Sequence, residues 1–213
     1  MNTNRENLIA GLADELEPVR RITTRSGLLL LAFATLVAFG VSVAVFDFWS
    51  GMFEGEASPF FWVTNGLVLL LGLACTLALV VGGSPRVGQR QNAPGWAAAM
   101  VAILPIAAII SLIPGGHAHE GMNDPHAWYC TRASLAAALL VGVASVLWLR
   151  RGAPVSLNRS GWLVGTAAGA LGTVAYGITC HIDSISHLGL WHVAPIAVSA
   201  VIGRLVVPPL IRW

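Results

Sequence analysis

The chain has 213 residues, of which 56% are hydrophobic and only 10% are charged, and its formal net charge is +2. Because soluble domains carry about 25% charged residues, this composition excludes an ordinary soluble domain, and the small net charge excludes a nucleic-acid-binding protein. The mean hydropathy of +0.74 instead indicates a protein that lies largely within a membrane.

Residues 1–26 form the longest polar stretch and contain the pattern of a short amphipathic helix. Thr3 and Glu6 have the spacing of a capping box, in which each side chain bonds the other residue's backbone amide. Apolar residues then recur at helical spacing, and Pro18 should end the helix. These apolar positions are Leu8, Ile9, Leu12, Leu16 and Val19.

The apolar stripe of this tail has no partner within residues 1–26, so two interpretations stay open. The helix could lie on the bilayer surface, or it could dock in a groove of a cytoplasmic protein. Helices that lie on membranes usually carry a basic polar face, whereas Asp14, Glu15 and Glu17 make the second half of this one acidic. A groove in a protein therefore suits the tail at least as well as a membrane surface.

Six apolar runs follow the tail, and each has about the 18–22 residues that a helix needs to cross about 30 Å of hydrocarbon. The runs lie at residues 27–46, 60–81, 96–114, 129–149, 161–180 and 188–207. All but one of the twelve basic residues lie on one side of them, which the positive-inside rule makes the cytoplasm. The sequence thus predicts an all-α, polytopic membrane protein with six transmembrane helices and both termini cytoplasmic. A cytoplasmic tail (1–26) would precede a six-helix transmembrane domain (27–213).

The fifth run carries small residues at a four-residue spacing, which puts a flat groove on one helix face. Such a face lets a second helix approach closely and gain dispersion contacts that lipid cannot match. Helix packing is therefore the expected role of these residues. The glycines of this pattern are Gly161, Gly165, Gly169 and Gly177. Pro105 and Pro195 fall within the third and sixth runs and predict kinks there.

Two of the three cysteines, Cys130 and Cys180, lie at the outer ends of the fourth and fifth runs. A helical leg of about 30 Å separates each of them from the short connection between these runs, so both sulfurs should lie at one depth. Three interpretations stay open: two separate buried thiols, a structural disulfide, or a reactive or metal-binding pair. Cys75, in the middle of the second run, is expected to be a packing residue.

The predicted topology places all six histidines on the same outer side. Thiolate and imidazole groups are good ligands for transition and heavy metals, so side chains on this side are candidate accessory ligands. These candidates are His126, His181, Asp183 and His192. The chain has no C-x-x-C, H-E-x-x-H, G-x-S-x-G or phosphate-binding loop, which predicts a protein that is not an enzyme and has no constitutive cofactor.

Several short motifs carry a resemblance to a known family. They are L-R-R-G-A-P at 149–154, A-Y-G-I-T-C-H-I-D-S at 175–184, G-L-W-H at 189–192 and I-R-W at 211–213. With these motifs, a Gly-rich fifth run and a tail of the L-I-x-x-L-A type, the chain resembles the NrsF-type membrane anti-sigma factors. These are negative regulators of the extracytoplasmic-function sigma factor sigma F. Where the family often has Trp-Tyr in the last span, this chain has Trp191-His192.

The resemblance implies a bacterial inner-membrane protein that holds an extracytoplasmic-function sigma factor at the cytoplasmic face and does not bind nucleic acid directly. It implies that Cys130 and Cys180 match the family's two cysteines, which sense metal or oxidative stress, with a heavy-metal ion as inducer. It also makes the stripe from Leu8 to Val19 the expected sigma-binding face.

An alternative from another class is a small metal or solute transporter with His-rich outer loops. Transporters usually carry ionisable groups at the membrane midplane, and no Asp, Glu or His lies in the middle of a predicted span. The sequence leaves the oligomeric state open.

Overall fold

A computed structural model describes residues 3–15, 23–84, 91–113 and 126–212. Within these ranges all regular secondary structure is helical, which confirms the all-α prediction. The α-helices of this part of the chain are α1 (Thr3–Asp14), α2 (Thr24–Phe46), α3 (Pro59–Gly82), α4 (Ala93–Val101), α5 (Ile103–Leu112), α6 (Ala127–Leu149), α7 (Leu157–Gly177) and α8 (Ala194–Leu210). A 3-10 turn (Ser50–Met52) follows α2, and a π-helical turn (His187–Trp191) precedes α8.

Five helical segments of the described residues are long and apolar enough to cross a membrane. They are Thr24–Phe46, Pro59–Gly82, Ala93–Leu112, Ala127–Leu149 and His187–Leu210. Each coincides with one of the predicted apolar runs. The remaining run forms α7, which has 21 residues but is not among the five, because its many small residues lower its hydropathy. The count of six spans and the orientation of the termini therefore stay predictions.

Hydroxyl caps mark the starts of three long helices. The side chains of Thr23, Ser58 and Ser156 each accept a hydrogen bond from a backbone amide in the first turn of α2, α3 and α7. These bonds satisfy amides that the first turn of a helix leaves without a helical partner. The predicted runs 27–46 and 161–180 begin later than α2 and α7 because the first turns of these two helices contain polar side chains.

Two prolines determine where the third and sixth runs are interrupted. Proline has no amide hydrogen, and its ring clashes with the carbonyl group four residues earlier. Helix α4 ends at Val101, four residues before Pro105, and the π-helical turn ends at Trp191, four residues before Pro195. The third run is therefore divided into α4 and α5, and Pro195 lies in the first turn of α8 rather than at a kink within it.

Helix α7 lies at the centre of the bundle and packs against α8, α6 and α3. Most of its residues are buried, including every glycine between Gly161 and Gly177. On the α6 side, Gly172 lies against the backbone of Ala138. Because neighbouring helices surround α7, it does not need the apolar surface that a lipid-facing helix requires.

Three of the predicted packing glycines lie directly against α8. A methyl group added at Gly161 would come within 2.6 Å of the Gly203 carbonyl oxygen. One added at Gly165 would clash with the Ser199 carbonyl, and one at Gly169 would come within 2.8 Å of backbone atoms of α8. The small residues thus let the two backbones approach closely. Gly177 lies at a different contact, beside Asn65 of α3.

A buried tryptophan lies at the end of α6 that is opposite to Cys130. The Trp148 side chain is only 3% exposed and packs against Gly27 at the start of α2 and Gly83 after α3. A methyl group at Gly27 would come within 2.6 Å of the indole ring. The backbone amide of Ala153 also donates a 3.0 Å hydrogen bond to the Gly83 carbonyl. This end of the bundle therefore joins α2, α3 and α6 around one aromatic side chain.

Candidate functional site

The two outer cysteines meet inside the bundle. Cys130 lies in the first turn of α6, and Cys180 follows the end of α7. Their sulfur atoms are 3.8 Å apart, and both residues are thiols that are almost fully buried. The equal legs of the two antiparallel helices bring the sulfurs to one depth, and the helix faces turn them towards each other. Cys75 lies elsewhere, in an apolar cluster.

Two histidines complete this cluster. His187 begins the π-helical turn and His192 directly follows it, and both are 1% exposed. The Nε2 atom of His187 is 3.6 Å from the Cys180 sulfur, and the two imidazole ring centroids are 5.3 Å apart. One ligand atom from each of Cys130, Cys180, His187 and His192 lies within 4.8 Å of every other. The structure thus assembles two sulfur and two nitrogen donors at one point.

The π-helical turn explains why the two histidines meet. A π turn closes hydrogen bonds between residues five positions apart, and such turns often occur at functional sites. Because His187 and His192 are five residues apart, the turn brings their side chains to one side of the chain. Sequence reasoning included His192 among the accessory ligands but missed His187. The only signal was the five-residue spacing before Pro195, which is informative once the turn is known.

Tyr176 links the cysteine pair to α2. Its hydroxyl group donates a 3.2 Å hydrogen bond to the Cys130 sulfur. Its ring packs edge to face on Phe46, the last residue of α2, with ring centroids 5.3 Å apart. A movement of the Cys130 sulfur would therefore alter contacts among α6, α7 and α2.

One group of the cluster lacks ordinary hydrogen bonding. Neither ring nitrogen of His192 has a hydrogen-bond partner of good geometry within the described residues, although the ring is buried. Leaving a buried polar group unsatisfied costs about 1–3 kcal/mol, and such groups in native proteins often mark a site for a ligand or ion. One ring nitrogen of His192 lies within 4.8 Å of both cysteine sulfurs, and thiols are soft donors of the kind that transition and heavy metals prefer.

The other predicted accessory ligands lie outside the cluster of four. His126 and His181 are exposed and line a cavity of about 250 Å³ whose wall includes both cysteines. Asp183 accepts hydrogen bonds from the backbone amide and the hydroxyl group of Ser58, and so ties the segment after α7 to the cap of α3. The structure thus gives Asp183 a connecting contact and places the two histidines at the surface near the cysteines.

The tail forms the predicted helix, α1, and exposes its apolar side chains. Leu8, Ile9 and Leu12 are 63%, 57% and 57% exposed. The other two predicted positions of the stripe, Leu16 and Val19, lie outside the described residues. The three leucine and isoleucine side chains therefore form an apolar surface that no other part of the described chain covers.

Comparisons with known proteins define the class of the molecule. Residues 12–213 match the NrsF family, described as negative regulator of sigma F, so the chain belongs to that family. It is also 28% identical over 210 residues to the anti-sigma-F factor NrsF of Caulobacter vibrioides (strain NA1000 / CB15N), a match that covers 96% of this chain and 94% of the relative. No solved structure matches the chain.

Family membership confirms the resemblance inferred from the motifs. The chain is a negative regulator of a sigma factor, which is a regulatory and non-enzymatic class, and a sigma factor is its partner. This class fits a helical bundle with several candidate membrane spans. It also favours a regulatory protein over a transporter.

Proposed function

We propose that the chain is an inner-membrane anti-sigma factor that sequesters an extracytoplasmic-function sigma factor and releases it under metal or oxidative stress. The sensing residues would be Cys130 and Cys180. The observation that carries this proposal is the 3.8 Å contact between their sulfurs, each on a different helix of the bundle. A metal ion or an oxidant that joins the two sulfurs would change how α6 and α7 are held together.

The proposal includes six transmembrane helices, with α7 as the fifth, and both termini in the cytoplasm of a bacterium. The distribution of basic residues supports this orientation. The 21 residues of α7 are enough to cross about 30 Å of hydrocarbon, and its burial among α3, α6 and α8 explains its modest hydropathy. The cysteine cluster would then face the periplasm and Trp148 the cytoplasm.

The tail, residues 1–26, would bind the sigma factor, and residues 27–213 would form the membrane domain. Support comes from the exposed side chains of Leu8, Ile9 and Leu12 on α1, together with Leu16 and Val19 of the same sequence pattern. An amphipathic helix that lays its apolar face into a groove is a common mode of recognition between proteins. The acidic second half of the tail makes a protein groove a better partner than an anionic membrane surface.

Helix α6 could transmit a change at the cysteines to the opposite end of the bundle. Cys130 lies at one end of α6, and Trp148 lies 18 residues further along, about 27 Å away in a helix. Trp148 packs on Gly27, which is the first residue of the proposed membrane domain after the tail. To change a binding equilibrium from 1:99 to 99:1, a stimulus must favour one state by about 5.5 kcal/mol, which metal–thiolate bonds can supply.

Co-purification tests this function directly. The full-length protein, expressed with the sigma factor encoded beside it, should retain that sigma factor when it is extracted from membranes and purified. Cadmium ions or an oxidant should release the sigma factor. A protein that lacks residues 1–26 should insert in the membrane but lose the sigma factor. Sigma retention by the shortened protein would move the binding site to the loops, and no retention by either protein would refute sequestration.

A further inference from the structure

We propose that Cys130, Cys180, His187 and His192 form a tetrahedral site for one soft or borderline divalent cation, of the kind represented by zinc, cadmium and cobalt. This inference rests on the proposed function, since it specifies what the cysteine pair takes and which further residues hold it. The two histidines come from the π-helical turn and its end, and only His192 was expected near the pair from sequence.

Two distances in the cluster match those of a four-coordinate site. Bonds of about 2.3 Å to sulfur and about 2.05 Å to nitrogen, at tetrahedral angles, separate two sulfurs by about 3.8 Å and a sulfur from a nitrogen by about 3.6 Å. The observed separation of the Cys130 and Cys180 sulfurs is 3.8 Å, and that of the Cys180 sulfur and His187 Nε2 is 3.6 Å. Because the four ligand atoms lie within 4.8 Å of one another, small side-chain movements would complete such a site.

The charge balance suits the burial of the site. Each thiol must lose its proton to bind, whereas each imidazole binds as the neutral ring, so one divalent cation displaces two protons. The two thiolates then neutralise the two positive charges of the cation. A net neutral complex avoids the large free-energy cost of an uncompensated charge in an apolar interior. A site with four carboxylates or four thiolates would not have this property.

A disulfide alone would not explain the two histidines. Oxidation of the cysteines would leave both ring nitrogens of His192 buried without an ordinary hydrogen bond in this part of the chain. A cation would use one of these nitrogens as a ligand. Tyr176 would support the site, because its hydroxyl group already donates a hydrogen bond to the Cys130 sulfur and would orient that ligand.

The site also has an entrance. The cavity lined by the exposed side chains of His126 and His181 has a volume of about 250 Å³ and includes Cys130 and Cys180 in its wall. A hydrated cation could reach the sulfurs through this cavity. Because the four ligands come from α6, the segment after α7, the π-helical turn and its end, binding would draw these segments together.

Cobalt(II) is a suitable probe, since a tetrahedral site with thiolate ligands gives strong visible bands and sulfur-to-cobalt charge-transfer absorption. The reduced, full-length protein in detergent should bind one cobalt ion per chain, release two protons, and lose the bands when cadmium is added. His187→Gln and His192→Gln should each weaken binding by more than about tenfold, because loss of a direct ligand costs at least as much as loss of a supporting residue. His126→Gln and His181→Gln are the matched controls and should bind within about twofold of the unaltered protein.

His192→Cys separates the loss of a ligand from a failure to fold. This variant replaces one soft donor with another, so it should still bind cobalt and should show stronger charge-transfer absorption from three thiolates. Equal cobalt affinity in the unaltered, His187→Gln and His192→Gln proteins would overturn the four-ligand site. The same conclusion follows if the unaltered protein binds no cobalt.

Induction of sigma-dependent transcription in cells keeps this inference separate from the proposed function. Loss of induction in Cys130→Ser without any cobalt site would refute the metal site and leave the cysteine sensor standing. A cobalt site with the expected spectrum, in a protein whose Cys130→Ser, Cys180→Ser variant still represses and induces normally, would support the site and refute its role in sigma release.

Discussion

Cys130 and Cys75 are both buried thiols, but their surroundings differ in the donor groups that they offer. Cys75 packs among Val68, Leu71 and other apolar side chains, which offer no second donor. Cys130 lies against another thiol and a phenol hydroxyl group. Apolar side chains thus surround Cys75, whereas Cys130 has neighbours that could share a metal ion or an oxidation step with it.

This contrast leads to a prediction with a control inside the chain. In Cys130→Ser and Cys180→Ser, induction of sigma-dependent transcription by cadmium should be lost, because a hydroxyl group is a poor ligand for a soft metal. Repression should persist, since the structure has both residues as thiols and serine is nearly the same size. Cys75→Ser is the matched control and should induce normally in the same reporter assay.

The double variant gives the decisive outcome. If Cys130→Ser, Cys180→Ser represses and induces like the unaltered protein, the pair is not the sensor. If single variants are instead active without any inducer, the resting state in cells is a disulfide, and the pair remains the switch with the opposite starting state.

The sequence named three residues of the cluster, Cys130, Cys180 and His192, but not how they are arranged. The two cysteines could be placed at one depth because helix length is a regular quantity. Their facing orientation and the position of His187 could not be predicted, because both depend on helix rotation and on a π turn that has no reliable sequence pattern. Asp183 was expected near the metal ligands, but it bonds Ser58, a contact between segments distant in sequence.

Helix α7 is too low in hydropathy to count among the candidate membrane spans, although it packs at the centre of the bundle. Its glycines lower its hydropathy, yet they allow α8 to approach so closely that added methyl groups would meet backbone atoms. Helical periodicity predicted the packing face, because small residues four apart lie on one side of a helix. The identity of the partner helix could not be predicted, since periodicity describes one helix at a time.

Gly165→Ala should measurably destabilise the bundle. The added methyl group would clash with the Ser199 carbonyl of α8, and overpacking of this kind typically costs about 1–3 kcal/mol. Gly40→Ala in α2 is the matched control, because open space surrounds that position and alanine favours the helix. Thermal unfolding in detergent should show a lower midpoint for Gly165→Ala only. Equal midpoints for the two variants would show that α7 and α8 can separate without cost.

Helix α6 connects the cysteine cluster with Trp148, and this arrangement predicts a variant that senses but does not respond. In Trp148→Leu the contact with Gly27 is reduced, so cobalt binding at the other end should be unchanged while cadmium releases less sigma factor. Trp162→Leu, at a half-exposed position of α7, is the control and should release sigma normally. Normal release from Trp148→Leu would show that the response takes another route.

For the whole molecule, the charge distribution predicts that the two ends of α7 lie on opposite sides of the membrane. Val155 and Ile185 are both exposed and lie before and after this helix. In a protein without its own cysteines, Ile185→Cys should react with an impermeant maleimide added outside the inner membrane, and Val155→Cys should react only after the membrane is opened. Labelling of both from the same side would remove α7 from the spans and reduce the count to five.

The helices could be predicted further than the site, because apolar length is a property of a whole segment. The bounds of the predicted apolar runs were accurate to within a few residues. The main errors came from the polar first turns of α2 and α7 and from the prolines that divide two of the runs. Spacing also predicted a helix with an apolar stripe before Pro18, of which the structure describes Thr3–Asp14. What the stripe contacts depends on another molecule, so neither the sequence nor the structure of this chain alone can define it.

A final prediction concerns the exposed stripe of the tail and the partner that it would bind. Leu8→Asp, Leu12→Asp would place two charges on the stripe, and burying them in an apolar groove would cost several kcal/mol, so sigma-dependent transcription should be high without an inducer. Ala10→Asp adds the same kind of charge on the opposite side of α1 and should still repress. Membrane levels should be equal in both variants, because the altered residues precede the first span. If repression by the double variant equals that of Ala10→Asp, the sigma factor is held by the loops between the helices rather than by this stripe.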